Sequence, residues 1–117
     1  MVREFAITEA PGKGTADVLR VAGRLDARNA QTLLRKCREM EDAGRKQLVI
    51  NLSEVTFVAS SGVGTLLAVT EEFQDTGGII RLVALSEPVR SVVELLNLTQ
   101  FLHIAATEAE ALEAIGD

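Results

Sequence analysis

Three consecutive large apolar residues, Leu48, Val49 and Ile50, restrict the folds open to this chain more than any other feature. A strand with one face in water alternates apolar and polar residues, whereas an unbroken apolar run indicates a strand covered on both faces. Such coverage is typical of parallel sheets, in which helices connect the strands. We therefore expect a central parallel strand within residues 46–51.

Helical periodicity lies on both sides of this run. Upstream, apolar residues recur at the i, i+3, i+4, i+7 and i+10 positions of an amphipathic helix over residues 27–43, which Gly44 ends. A second helical stripe follows the run and consists of Val63, Leu66, Leu67, Thr70 and Phe73. Gly77 and Gly78 close this second helix. A strand between two amphipathic helices indicates crossover connections on one sheet.

Short strands and two further helices complete the pattern. The remaining strands are predicted at residues 2–7, 16–22, 79–84 and around 101–104, with turn-forming residues at 8–15. The remaining helices are predicted from Pro88 to Leu96 and over residues 108–115. The order β, β, α, β, α, β, α, β, α predicts an α/β fold with a mixed sheet of four or five strands and about four helices packed against it.

Size and composition limit the possible functions. A chain of 117 residues forms one domain, residues 1–117, with a core that needs no metal or disulfide. A single cysteine, Cys37, excludes an internal disulfide, and a single histidine, His103, excludes a Cys/His zinc site. The net charge of -5 and the lack of Trp and Tyr argue against a nucleic-acid partner. We expect neither a metal nor a cofactor.

Neither a membrane span nor catalysis is indicated. The longest uncharged stretch, residues 55–70, is too short for a span and contains serines and glycines, and the N-terminus shows no secretory signal. We expect a cytoplasmic protein. Residues 12–15 resemble a phosphate loop superficially, but Gly14 follows Lys13 where Ser or Thr is needed. Because no carboxylate pair or nucleophile with a base emerges, we expect no catalytic residues and no enzymatic activity.

The junction at residues 58–64 is the most informative place for function. Here a buried strand passes into a helix through Ser60 and Ser61, and Gly62 and Gly64 lie in the first helical turns. Each glycine costs a helix about 1 kcal/mol relative to alanine. We therefore expect that another group approaches the helix closely at these two positions, where a side chain would be in the way. Free N–H groups at a helix start favour an anion, so a serine there can cap the helix or carry a phosphate.

The sequence resembles the STAS domain family, specifically its free-standing anti-sigma factor antagonists. The resemblance covers nearly the whole chain and rests on VAGRLDARNAQTLL, VINLSEVTFVASSGVGTLLAV and GGIIRLVALSEPVRSVVELLNLTQF. It implies a bacterial, phosphorylation-switched binding module that regulates sigma-factor-dependent transcription. The unphosphorylated antagonist binds an anti-sigma factor that is also a serine kinase, phosphorylation ends the binding, and a serine phosphatase resets it. The implied protein is a monomer or weak dimer.

The family motif D-S-S-G-[LIV]-G assigns the residues of the switch. Its first serine, the phosphorylated one, falls on Ser60, with Ser61 as the alternative acceptor, and Gly62 and Gly64 match its glycines. The family's G-x-[LIV]-D motif places its aspartate on Asp26, expected near the same end of the sheet. The resemblance thus implies a partner-binding surface formed by Asp26, Ser60, Ser61, Gly62 and Gly64.

One position departs from the motif, and simpler interpretations stay open. Ala59 stands where the family has aspartate, which can orient the serine hydroxyl. Either phosphorylation proceeds without it, or the domain is an unphosphorylated STAS scaffold subunit of a signalling or lipid-transport complex. Ser60 and Asp26 could also serve only as helix N-caps, and Gly62 and Gly64 could only relieve crowding between helix and sheet.

Overall fold

Five strands and four helices form the fold in the computed structural model, which describes residues 4–14 and 16–115. The strands are β1 (Ala6–Ala10), β2 (Ala16–Leu25), β3 (Gln47–Val58), β4 (Ile79–Val83) and β5 (His103–Ala105). The helices are α1 (Ala27–Asp42), α2 (Ser60–Asp75), α3 (Glu87–Leu95) and α4 (Glu108–Ile115), with a 3₁₀ turn at Thr99–Phe101. This confirms the predicted α/β class.

The sheet is mixed and follows the chain order β1-β2-β3-β4-β5. β1 pairs antiparallel with β2, whereas β2, β3, β4 and β5 pair in parallel. Helices α1, α2 and α3 each connect neighbouring parallel strands, which requires a crossover rather than a hairpin. β3 therefore lies at the centre, as its apolar run predicts.

The apolar run of β3 serves two hydrophobic cores. Leu48 and Ile50 belong to the larger cluster, which includes side chains of α1, α2 and α3. Val49 belongs to a second, smaller cluster with Ala111 of α4. Since successive strand residues face opposite sides of a sheet, helices cover β3 from both directions. All three residues of the run are 0% exposed.

A polar network attaches the start of α4 to the sheet. The Arg20 guanidinium on β2 donates two hydrogen bonds of 2.9 Å to the Glu108 carboxylate, and Asn51 Nδ2 on β3 donates a third. The hydrogen bond from Arg20 is the main reason why the pKa of Glu108 is lowered from its ordinary value. The carboxylate therefore remains charged while it holds α4 against the smaller core.

Several predicted boundaries are wrong. The sequence predicts the first strand at residues 2–7, of which residues 2 and 3 lie outside the described part of the chain. β1 is instead Ala6–Ala10, because Thr8, Glu9 and Ala10 continue the pairing with β2. β2 extends past residue 22 to Leu25, and residues 47–58 form one strand. The two strands keep pairing across register shifts near Gly23, which alternation of side chains cannot reveal.

We predict that the Cys37 thiol reacts only when the chain unfolds. Cys37 is 1% exposed within α1, and burial, with smaller effects from Glu72 and Glu41, raises its pKa from 9.0 to about 12. Because the folded pKa is the higher one, this group destabilises the fold as pH rises through 9.0. Labelling with a disulfide reagent at pH 8, with and without guanidinium chloride, measures the protection. Equal labelling rates in both solutions would contradict it.

Candidate functional site

The carboxyl ends of β2 and β3 bring two predicted site residues to one edge of the sheet. Leu25 and Val58 are paired in the ladder, and the Ala59 N–H donates to the Leu25 carbonyl at 3.0 Å. Asp26 follows Leu25 directly, and Ser60 follows Val58 after one residue, Ala59. The expectation that Asp26 lies near the same end of the sheet as Ser60 is therefore confirmed.

Asp26 is the N-cap of α1. Its Oδ1 accepts a hydrogen bond of 3.0 Å from the Asn29 N–H, and the Asn29 side chain in turn donates to the Arg24 carbonyl at 2.8 Å. A capping carboxylate satisfies one of the free N–H groups of the first helical turn. Asp26 is half-buried and engaged in this structural role, which fixes the entry of α1 beside the candidate site.

Ser60 is the first residue of α2, and the alternative that it is the N-cap is wrong. Ala59 occupies the N-cap and gives the helix no side-chain hydrogen bond. The Ala59 carbonyl accepts from the N–H groups of Gly62 and Val63, at 2.9 and 3.1 Å. Ser60 and Ser61 are both exposed. The helix therefore begins with two accessible hydroxyls and with N–H groups that no side chain caps.

The two glycines of the junction differ in their surroundings. A Cβ on Gly62 would lie 2.6 Å from the Leu25 carbonyl oxygen and 3.0 Å from a Val58 methyl group. Gly62 is therefore required where α2 crosses the end of the sheet. A Cβ on Gly64 would meet no other atom within 4 Å, and Gly64 is exposed. Crowding explains Gly62, but it does not explain Gly64.

Sequence reasoning missed one feature beside this junction. The Arg24 guanidinium carbon lies 4.1 Å from the centre of the Phe57 ring, at paired positions of β2 and β3. A cation over an aromatic face is attracted by the ring quadrupole. Both residues are exposed, and Phe57 is three residues before Ser60. An aromatic residue close to the motif was the available signal, but the pairing with Arg24 depends on strand register.

The junction presents exposed hydroxyl groups, and the imidazole of the chain lies far from them. The only imidazole in the chain, His103, has its Nε2 2.9 Å from Gln74 Nε2, near the far end of α2. Fourteen residues of helix separate Gln74 from Ser60, a rise of about 21 Å. Over residues 4–14 and 16–115, no cluster of three or more His, Cys, Asp or Glu could hold a metal ion.

No helix within the described part of the chain is long and apolar enough to cross a membrane.

Comparison with known proteins assigns this chain to a family. The STAS domain model matches residues 8–111. A "Putative anti-sigma factor antagonist" of Thermotoga maritima is 29% identical over 77 residues, which are 66% of this chain and 68% of that protein. The resemblance noted in the sequence is confirmed at the level of the family.

Solved structures agree with this assignment. An anti-sigma factor antagonist from Mycobacterium paratuberculosis superimposes with a TM-score of 0.84 at 26% identity, covering 97% of this chain and 96% of that one. The antagonist SpoIIAA in its unphosphorylated form gives 0.77 at 25% identity over 94% and 96%. SpoIIAA of Bacillus in its phosphorylated form gives 0.73 at 25% identity over 94% and 99%.

The unequal surroundings of the two glycines give a paired prediction. Gly62→Ala should destabilise the fold by about 1–3 kcal/mol, because its methyl group forces α2 away from Leu25. Gly64→Ala should stabilise it by about 0.5–1 kcal/mol, because alanine is the better helix former and meets no neighbour. Urea unfolding of both variants measures the difference, and destabilisation by Gly64→Ala would show a contact that the structure lacks.

Proposed function

Because this chain belongs to the STAS domain family, we propose that it is an anti-sigma factor antagonist whose binding is switched at Ser60. In this proposal the unphosphorylated form binds an anti-sigma factor that is also a serine kinase. Phosphorylation of Ser60 ends the binding, and a serine phosphatase restores it. The observation that carries the proposal is an exposed serine at the first position of α2, where the family motif places its acceptor.

The surroundings of Ser60 support a protein-binding surface there. Ser61 and Gly64 are exposed on the same first turns of α2, and Gly64 leaves open space above the helix backbone. A partner can approach the backbone closely at a glycine that no internal contact requires. Asp26 borders this surface through the cap of α1. Gly62 contributes by placing α2 against the sheet rather than by touching the partner.

Electrostatics explains how one phosphate can end the binding. A phosphoserine carries a charge of roughly -2, which must lose water and meet the partner's charges if it stays in an interface. Each 1.4 kcal/mol of that penalty weakens binding about tenfold, so a few kcal/mol release the partner. The uncapped N–H groups at the start of α2 favour negative charge. The fold itself therefore tolerates Ser60 in both its phosphorylated and its unphosphorylated form.

The partner must supply the chemistry of phosphorylation. Ala59 offers no proton acceptor next to Ser60, and the only histidine contacts Gln74 at the other end of α2. Phosphoryl transfer depends mainly on positioning and on charge stabilisation by the kinase and its Mg²⁺. In this proposal the chain acts as a protein substrate and a binding module, and the kinase supplies the catalytic groups.

A second candidate function is an unphosphorylated STAS scaffold subunit of a larger complex. The observation that favours it is Ala59, which stands at the position of the family's aspartate and leaves the N-cap of α2 without a side-chain hydrogen bond. If the aspartate is needed to orient the serine hydroxyl, its loss would leave only the binding surface.

Incubation with purified serine-kinase anti-sigma factors of the same organism, ATP and Mg²⁺ tests the switch. We expect one phosphate on the wild-type chain by intact mass, none on Ser60→Ala, and one on the control variant Ser61→Ala. The phosphorylated chain should bind the kinase at least about tenfold more weakly than the unphosphorylated chain. A modified Ser60→Ala variant, or unchanged affinity after phosphorylation, would refute the assignment.

Substitution of Ala59 separates the two candidates. Ala59→Asp and Ala59→Ser should each stabilise the fold by about 1 kcal/mol, because either side chain can cap α2. If the kinase supplies the positioning, Ala59→Asp changes the initial rate of phosphorylation by less than about tenfold. If the kinase phosphorylated the Ala59→Asp variant but neither the wild type nor Ala59→Ser, the result would instead support the scaffold function. The comparison needs urea unfolding and a timed phosphorylation assay.

A further inference from the structure

We propose that the groove between α2 and the Thr99–Phe101 turn receives an amphipathic helix of the partner, with an apolar ridge and a basic flank. This inference rests on the proposed function, since it extends the binding surface that starts at Ser60. It assigns a specific second contact, more than one helical turn from the phosphorylation site, to the same protein–protein interaction.

The groove has an apolar floor and one apolar wall. Its volume is about 440 Å³, and it is lined by Leu67, Thr70, Glu71, Gln74, Leu98 and Phe101. Leu67 and Leu98 are half-buried and pack against the main core, so they form a fixed floor. Phe101 is 60% exposed, although Phe is among the residue types most often buried. Aromatic residues, Phe among them, are enriched at protein interfaces relative to the rest of the surface.

The groove is continuous with the Ser60 surface along one face of α2. Ser60, Gly64, Leu67, Glu71 and Gln74 follow the spacing i, i+4, i+7, i+11, i+14, which places them on one stripe of a helix. Fourteen residues span about 21 Å, the length of an equally long partner helix. The open space at Gly64 lies between the two ends of this stripe. A helix lying along the stripe would reach both Ser60 and the groove.

Charge identifies the kind of helix. α2 carries Glu71, Glu72 and Asp75 but no Lys or Arg. Arg38 of α1 donates to Glu72 at 3.1 Å, whereas the Glu71 side chain has no hydrogen bond or ion pair with any described residue. Glu71 therefore favours a Lys or Arg on the partner. A second copy of this chain fits poorly, because both chains carry a net charge of -5 and would place like charges together.

Binding of the anti-sigma factor kinase that phosphorylates Ser60 tests the groove directly. We expect Phe101→Ala to weaken the affinity of the unphosphorylated chain for the kinase at least about tenfold. Glu71→Lys should also weaken this affinity, and the loss should be larger at low than at high salt concentration, because salt screens the charge repulsion. Leu95→Ala is the matched control, because Leu95 is an exposed apolar residue, 81% exposed, outside the groove lining. It should leave the affinity unchanged. Circular dichroism verifies that each variant is folded.

The outcomes distinguish this inference from the proposed function. If phosphorylation at Ser60 ends kinase binding but Phe101→Ala binds like wild type, the switch stands and the groove assignment is overturned. Equal weakening by Leu95→Ala and Phe101→Ala would also overturn it, since the effect would then be general to exposed apolar residues.

A peptide probe keeps the groove testable if no kinase binds. A synthetic amphipathic helix of about 14 leucine and lysine residues, titrated into the isotope-labelled chain, should shift the amide signals of Leu67, Glu71 and Phe101. These shifts should be lost in Phe101→Ala and retained in Leu95→Ala. Absence of shifts in the wild type, or shifts centred elsewhere, would overturn the proposed occupant of the groove.

Discussion

The close approach of α2 to the end of β2 is the constraint on which the site depends. The Ala59 N–H bonds to the Leu25 carbonyl, and Gly62 lies so close to that residue that a Cβ would be 2.6 Å from its oxygen. This contact fixes where the helix starts and keeps Gly62 buried against the end of β2. The exposed position of Ser60 follows from it, because the first residue of the helix lies directly at the rim of the sheet.

At this edge of the sheet, residues that stabilise the fold lie near a glycine that the fold does not require. Asp26 caps α1 and Gly62 permits close packing, so both are explained by the stability of the fold. Gly64 has no such explanation, and an exposed glycine weakens the helix that carries it. Proteins retain such local losses mainly where function needs them. The contrast between the two glycines separates the exposed side of α2 from its packed side.

The architecture could be predicted from the sequence because its main signals are local or periodic. The apolar run at Leu48–Ile50 and the helical stripes of α1 and α2 gave the parallel core, and the cap at Asp26 was recognisable from its position before α1. Strand ends were less predictable. β2 and β3 continue past Gly23 because their backbones pair with each other, and pairing between distant segments leaves no periodic trace in either one.

For this protein the sequence by itself determined the fold class, the central strand and the motif that marks Ser60, because periodicity and short motifs are properties of neighbouring residues. Only the tertiary structure decided that Ala59 rather than Ser60 caps α2 and that Gly62 and Gly64 have opposite surroundings. It alone placed Arg24 over Phe57, and Phe101 beside α2. These facts depend on register and on contacts between segments far apart in the chain, which residue order does not encode locally.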